Sequence, residues 1–159
     1  MSDHKALIRW KYAGTDFIKG QYSREHEWVF DGGVTVAASP SPGVVPAPWS
    51  NPAHVDPEEA FVASVASCHM LTFLHLASRA KFTIEQYTDH AVGVMTKNER
   101  GVPWVSTITL HPLIVYGAGG APDAAQEQQL HHHAHEQCFI ANSIKTNVVV
   151  ASGESPAAA

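Results

Sequence analysis

The segment DPEEAFVASVASCHMLTFLHLASR, residues 56–79, decides the fold of this 159-residue chain. It opens as a helix start, with Asp56 at the N-cap, Pro57 at the first helical position and glutamate in the first turn, an acidic form of the capping box. Residues 61–77 carry no formal charge, so the predicted helix is apolar on nearly every face. A helix of this kind is buried, and we expect it to run from Pro57 to about Arg79.

Antiparallel strands are predicted before this helix. Residues 5–13 and 21–38 have strand character, and Asp31-Gly32-Gly33 is a strong hairpin signal within the second run. Residues 39–56 hold five of the ten prolines and are predicted to be an irregular connection. Trp49 is the large apolar side chain of this loop, and it would either cover a pocket or anchor the loop.

More strands and a second helix are predicted after the central helix. Residues 83–97 and 102–116 alternate as strands joined by a turn at 98–101, a helix spans roughly 122–137, and 144–151 is a closing strand. The tail 152–159 is expected to be disordered. We therefore predict a single α+β domain, residues 1–151, with an antiparallel sheet wrapped around a buried central helix.

Size and charge exclude several function classes. A chain of this length can bury roughly 70% of its unfolded surface, so it needs no structural disulfide. The N-terminus has no apolar export signal, and we expect the cytoplasm, where thiols stay reduced unless they are catalytic or sensing. A net charge of -5, with ten scattered basic residues, argues against a nucleic-acid partner. The apolar helix is short for a membrane span and contains two histidines, so we expect no membrane insertion.

The two cysteines, Cys68 and Cys138, are the first candidates for chemistry. Cys68 lies too deep in its helix for the helix dipole to activate it, so it would need a cation from elsewhere or remain an inert core residue. Cys138 follows the second helix, and the two thiols could form a staple, a metal pair or a redox couple. Arg24 is the candidate cation, because a guanidinium can hold a thiolate and a peroxide oxygen together, although an arginine at a strand start is commonly a solvated end.

The histidines offer an alternative chemistry. His131 and His135 share one helical face and could bind zinc or copper with Cys138, Cys68 or His69. The HExxH order is absent, however, and we expect His131 and His135 to be solvated helix residues. The sequence assigns no role to the neighbouring His132 and His133. His69 and His75 are expected to be hydrogen-bonded core residues, with His69 placed next to Cys68 to modulate the thiol.

Two segments together resemble a known family. Asp56-Pro-Glu-Glu-Ala-Phe-Val-Ala-Ser-Val-Ala-Ser-Cys-His69, followed about 70 residues later by Cys138-Phe-Ile-Ala-Asn-Ser143, is similar to the paired signature of the OsmC/Ohr proteins. These are the osmotically inducible and organic hydroperoxide resistance proteins. The similarity of element order extends from residue 5 to about 150, and the proline-rich loop 39–56 departs from the better-known branches.

The resemblance implies a cysteine-based peroxidase that uses no metal or organic cofactor. Cys68 corresponds to the peroxidatic cysteine, Cys138 to the resolving one, Glu58 to the motif glutamate and Arg24 to the arginine of the organic hydroperoxide branch. The implied partners are an organic hydroperoxide, an external dithiol reductant and a second copy of the chain in an intertwined dimer. The alternatives are a metal- or ligand-binding module built on the histidines and a thiol redox sensor.

Helix geometry bears on the role of Glu58. Glu58 and Cys68 are ten residues apart, which is about 15 Å along a straight helix. Glu58 is therefore not expected to serve its own Cys68. Two such helices crossing antiparallel at a two-fold axis would let Glu58 orient Arg24 at the partner's site, and the small residues of the helix would permit the close approach.

Overall fold

The computed structural model describes residues 2–151, and the predicted tail 152–159 lies outside them. The chain forms two compact units, Met1–Ala60 and Phe61–Ala159. The first unit contains β1 (Ala6–Arg9), β2 (Gly14–Asp16), β3 (Gln21–Tyr22), β4 (His26–Phe30) and β5 (Thr35–Ala38). Helix α1 (Pro57–Arg79) starts at the end of this unit and continues into the second.

The sheet of the first unit has the order β1-β4-β5, with both pairings antiparallel. The predicted hairpin joins β4 to β5, where Gly33 has φ of +86° and its N–H donates to the Phe30 carbonyl at 3.0 Å. The predicted run 21–38 is interrupted because the Arg24 N–H bonds to the Trp49 carbonyl at 3.1 Å instead of to a strand. A small β2–β3 hairpin lies between β1 and β4 in the sequence.

The connection 39–56 is irregular, as predicted. Ser39 is fully buried and fixes both ends of the loop, since its N–H donates to Val55 O at 3.1 Å and its hydroxyl accepts from the Asn51 N–H at 2.8 Å. Trp49 is half-buried. These bonds satisfy backbone groups that the prolines leave without a sheet partner.

Helix α1 has the predicted bounds and the predicted cap. Asp56 accepts from the Glu59 N–H at 2.7 Å, and Glu59 accepts from the Asp56 N–H at 3.0 Å, which completes the capping box. By length and composition alone α1 could cross a bilayer, a test that core helices of soluble proteins also pass. Here one of its faces supplies core residues.

Burial divides α1 into two stripes. The buried stripe is Val65, His69, Phe73 and Ala77. The exposed stripe has the same four-residue spacing and consists of Ala63, Ser67, Leu71 and His75. Within a single chain the core therefore receives one side of α1 rather than nearly every face, and His75 is outside the core where we expected it inside.

The second unit adds five strands and a second helix to α1. They are β6 (Ile84–Asp89), β7 (Val92–Lys97), β8 (Pro103–Leu110), β9 (Pro112–Tyr116), α2 (Ala124–Gln137) and β10 (Asn147–Val150), with a short 3-10 helix at Ala141–Ser143. Each predicted long strand is two strands, because the chain turns a corner at which Asp89 Oδ1 accepts the His111 N–H at 2.7 Å. β7 pairs with β8 and β6 with β9, both antiparallel.

One strand departs from the predicted antiparallel pattern. β10 pairs in parallel with β8, along Asn147–Val150. The crossover that allows this contains α2, which is the connection that parallel strands require. α2 starts at Ala124 rather than Pro122, because Asp123 caps it in a capping box with Gln126.

Two apolar clusters hold this unit together and confirm the α+β class. Val65 of α1 packs against Ile108 and Leu110 of β8. Phe73 and Ala77 of α1 cluster with Ala134 of α2. The two clusters place α1 against both β8 and α2, which is the arrangement that positions the thiols.

Candidate active site

The two thiols meet between α1 and the end of α2. Cys68 projects from α1 and Cys138 is the C-cap of α2. Their Sγ atoms are 2.7 Å apart and both are free thiols. A disulfide needs about 2.05 Å, so only a small movement separates this pair from a bond.

The residues after Cys138 hold the end of α2 in shape. The Asn142 side-chain amide donates to the carbonyls of Glu136 at 2.8 Å and Cys138 at 2.9 Å. These acceptors lie at the helix end, where carbonyls lose their intrahelical partners. The Ala141 N–H approaches Cys138 Sγ at 3.4 Å. The segment Cys138–Ser143 is therefore a structural cap that also orients the thiol.

The two thiols differ in exposure. Cys138 is 1% exposed, whereas Cys68 is half-buried. Burial, together with donation of its S–H to Cys68, raises the pKa of the Cys138 thiol to about 11 against the smaller opposing effect of the backbone N–H groups. Cys138 is thus a protonated, inaccessible thiol at neutral pH, and Cys68 is the thiol that a solute can reach.

A buried histidine pair lies between the same two helices. His69 Nε2 and His131 Nδ1 are 3.0 Å apart, with the rings nearly parallel at 11°. His131 also stacks on Phe73 at 4.3 Å between ring centroids. Burial lowers the pKa of both imidazoles to about 4, so both rings are neutral at pH 7.

This pair corrects one prediction and confirms another. His69 is a hydrogen-bonded core residue, as expected. His131 is buried, not solvated, while His132 and His133 are exposed. The signal for His131 was present in the sequence, because His131, Ala134 and Cys138 are spaced to share one face of α2.

A metal site built on the histidines was the main alternative to thiol chemistry. Within residues 2–151 no group of three or more His, Cys, Asp or Glu side chains is placed to hold a metal ion. One face of α2 instead lines a cleft of about 630 Å³, and its polar lining residues are Glu127, Gln128, His131, His132 and His135. Val148 and Val150 of β10 form part of the cleft lining.

Arg24 belongs to the first unit and is held by its own neighbours. Its Nη1 donates to the carbonyls of Gly20 at 3.3 Å and Tyr22 at 3.0 Å, and its guanidinium stacks on the Tyr22 ring at 4.1 Å. It lines an apolar pocket of about 400 Å³ with Trp10 and Phe17. In the described part of the chain no carboxylate pairs with Arg24, and Glu58 is half-buried without an ion pair. Their predicted catalytic roles remain predictions.

Comparison with known proteins identifies the family. Among curated proteins none matches the chain. A solved OsmC-like protein of unknown function from Vibrio cholerae is 49% identical, with a TM-score of 0.91, over 95% of this chain and 99% of that one.

More distant solved structures share the fold. An organic hydroperoxide resistance protein from Elizabethkingia anophelis is 20% identical with a TM-score of 0.68, over 94% of this chain and 93% of that one. A second organic hydroperoxide resistance protein, from Legionella pneumophila, is 19% identical with a TM-score of 0.66, over 94% of each chain. Residues 50–152, which include both cysteines, match the OsmC-like protein family, and the chain belongs to that family.

Proposed function

We propose that this protein is a thiol-dependent peroxidase that reduces organic hydroperoxides to alcohols. The observation that carries the proposal is the 2.7 Å approach of a reachable Cys68 to a buried Cys138. Two distant relatives of the same fold are named organic hydroperoxide resistance proteins, which supports the substrate class.

The reaction divides into two steps on the two sulfurs. The Cys68 thiolate attacks the distal peroxide oxygen, the O–O bond breaks, and the alkoxide takes a proton and leaves as an alcohol. Cys68 is then a sulfenic acid. The Cys138 thiol attacks the Cys68 sulfur, the S–S bond forms, and the hydroxide leaves as water with the Cys138 proton. An external dithiol then reduces the disulfide, a step that suits a reducing compartment such as the cytoplasm.

Arg24 and Glu58 supply charge in this proposal. Arg24 would stabilise the Cys68 thiolate and the leaving oxygen, because its guanidinium is paired with carbonyls and an aromatic ring rather than with a carboxylate. Glu58 would aim Arg24 at the partner's site in a homodimer. The exposed stripe of α1, with Ala63, Ser67 and Leu71, offers small and apolar side chains for the helix of a second copy.

The test is a thiol titration of the reduced protein. One equivalent of tert-butyl hydroperoxide should convert both thiols of each chain to a Cys68–Cys138 disulfide, seen by mass spectrometry as the loss of two hydrogens within one chain. Repeated additions with dithiothreitol should then give multiple turnovers. Thiols that remain unchanged, or a disulfide between chains only, would contradict the proposal. Formation of the disulfide without repeated turnover would instead identify a thiol redox sensor.

A further inference from the structure

The buried histidine pair His69 and His131 has no part in the two chemical steps, yet it lies between the same two helices as the thiols. His69 directly follows Cys68 on α1. His131 precedes Cys138 by seven residues, which is two turns or about 10 Å of α2. We propose that the His69–His131 hydrogen bond is a positioning device that holds Cys138 against Cys68.

The apolar contacts between α1 and α2 do not by themselves fix the register of the two helices. Phe73, Ala77 and Ala134 make apolar contacts, which are non-directional and permit small rotations and slides of one helix on the other. A hydrogen bond between two flat, stacked rings is directional, so it restricts both the rotation and the slide. Because the bond joins α1 at the residue next to Cys68 to α2 two turns before Cys138, it restricts the rotation of α2 that would separate the sulfurs.

Burial of the two rings makes the loss of this hydrogen bond unfavourable. His69 is 1% exposed, and its other ring nitrogen, Nδ1, has no hydrogen-bond partner among residues 2–151. The bond from Nε2 to His131 is therefore the one hydrogen bond that the His69 ring makes within residues 2–151. A shift of α2 would leave two buried ring nitrogens unsatisfied, which disfavours every other register. Both rings are neutral, so one nitrogen donates and the other accepts without any net charge between the helices.

Amide side chains provide matched variants for this bond. Glutamine places a polar atom near the position of histidine Nε2, and asparagine places one near Nδ1. His69→Gln and His131→Asn should therefore keep a polar atom at the contact, whereas His69→Asn and His131→Gln move it away. His132→Gln changes the exposed neighbouring imidazole on α2 and is the control.

The measurement is the effective concentration of the two thiols toward each other. The folded protein is equilibrated with glutathione, so that two protein thiols and one glutathione disulfide give the protein disulfide and two reduced glutathiones. The rate of ring closure from the glutathione mixed disulfide is measured in parallel. No peroxide is involved, so the result stands even if the proposed peroxidase activity, on which the role of the pair in catalysis rests, proves wrong.

We expect the effective concentration and the closure rate to fall roughly tenfold in His69→Asn and His131→Gln, the size expected for a lost buried hydrogen bond. His69→Gln, His131→Asn and the His132→Gln control should stay within about twofold of the parent. His69→Asn and His131→Gln weaken the same hydrogen bond from opposite partners, so the test needs only one of them to fold. Parent values in the weakened variants, or an equal fall in all four pair variants, would overturn the proposal.

Discussion

The two units of this chain differ in how much they bury. In the first unit only Ala38, Ser39 and Ser50 are buried among residues 2–60, and large apolar side chains stay exposed, Ile18 by 91% and Ile8 by 57%. The second unit has two apolar clusters and encloses Cys138, His69 and His131. The thiol geometry therefore depends on a packed core, while Arg24 is half-buried in a pocket that the partly exposed rings of Trp10 and Phe17 line.

In the proposed function, this difference would give the two units distinct roles. The second unit contains the two sulfurs and the groups that hold them, so it should determine whether the disulfide can form. The first unit contains Arg24 in an apolar pocket, so it should determine how fast the first thiol reacts and with which hydroperoxides. Variants in each unit should separate these two effects.

The largest effect is expected from the thiols of the second unit. Cys68→Ser should reduce peroxide consumption to the background rate, because a hydroxyl cannot replace the nucleophilic sulfur. Cys138→Ser should react once and then over-oxidise to sulfinic acid, because no resolving thiol traps the sulfenic acid. Stopped-flow peroxide consumption and intact mass measure the two outcomes. Activity that survives Cys68→Ser would reverse the assignment.

A smaller effect is expected from Arg24 in the first unit. Arg24→Ala should slow the reaction of Cys68 with tert-butyl hydroperoxide by about a hundredfold, the usual loss for one charge-stabilising donor. Arg24→Lys should recover part of the rate, since it keeps the charge without the planar fork. Because Arg24 would stabilise the reduced thiolate, its loss should shift the glutathione equilibrium toward the disulfide, the opposite direction to the change expected in His69→Asn. An unchanged peroxide rate in Arg24→Ala would remove Arg24 from the site.

Much of the fold could be predicted from local sequence signals. The capping box at Asp56 and the apolar run behind it predicted the bounds of α1, and Asp31-Gly32-Gly33 predicted the β4–β5 hairpin. The splitting of the long strands could not be predicted, because it depends on a contact between Asp89 and His111, which are distant in sequence. The parallel pairing of β10 with β8 also depends on tertiary structure, so it could not be predicted either.

The candidate site could be predicted only in part, because it too depends on tertiary contacts. The spacing and family resemblance of Cys68 and Cys138 predicted that they would act together, and the structure brings them into contact. The shared face of His131, Ala134 and Cys138 indicated which side of α2 could be buried, but the burial of His131 depends on the packing of that side against α1, which the sequence does not specify. The composition predicted that α1 would be buried on nearly every face. In a single chain, however, one stripe of α1 is buried.

The exposed stripe of α1 gives a third prediction, which concerns association. Leu71 is 62% exposed in a single chain, and Leu71→Asp would place an unpaired charge in the proposed helix crossing. We expect the dimer dissociation constant to rise by at least about a hundredfold, measured by analytical ultracentrifugation. Val102→Asp makes the same change at an exposed position before β8 and should leave association unchanged. A monomeric parent would contradict the proposed dimer.

The smallest effect is expected on stability, and it is specific to the second unit. His69 and His131 are held neutral by burial, with pKa values lowered from the ordinary 6.5 to about 4. Between those values the unfolded chain binds more protons than the folded one, so the free energy of unfolding should fall as the pH drops from 6.5 to about 4 and should be fully present above 6.5.

Chemical denaturation of the reduced protein at a series of pH values measures this dependence. The double variant His69→Gln/His131→Asn keeps polar atoms at the contact but cannot titrate, and its stability should vary less with pH. Exposed His132 and His133 are the control positions, since their rings are solvated in both states. An equal pH dependence in the parent and the double variant would show that the buried pair is not the source.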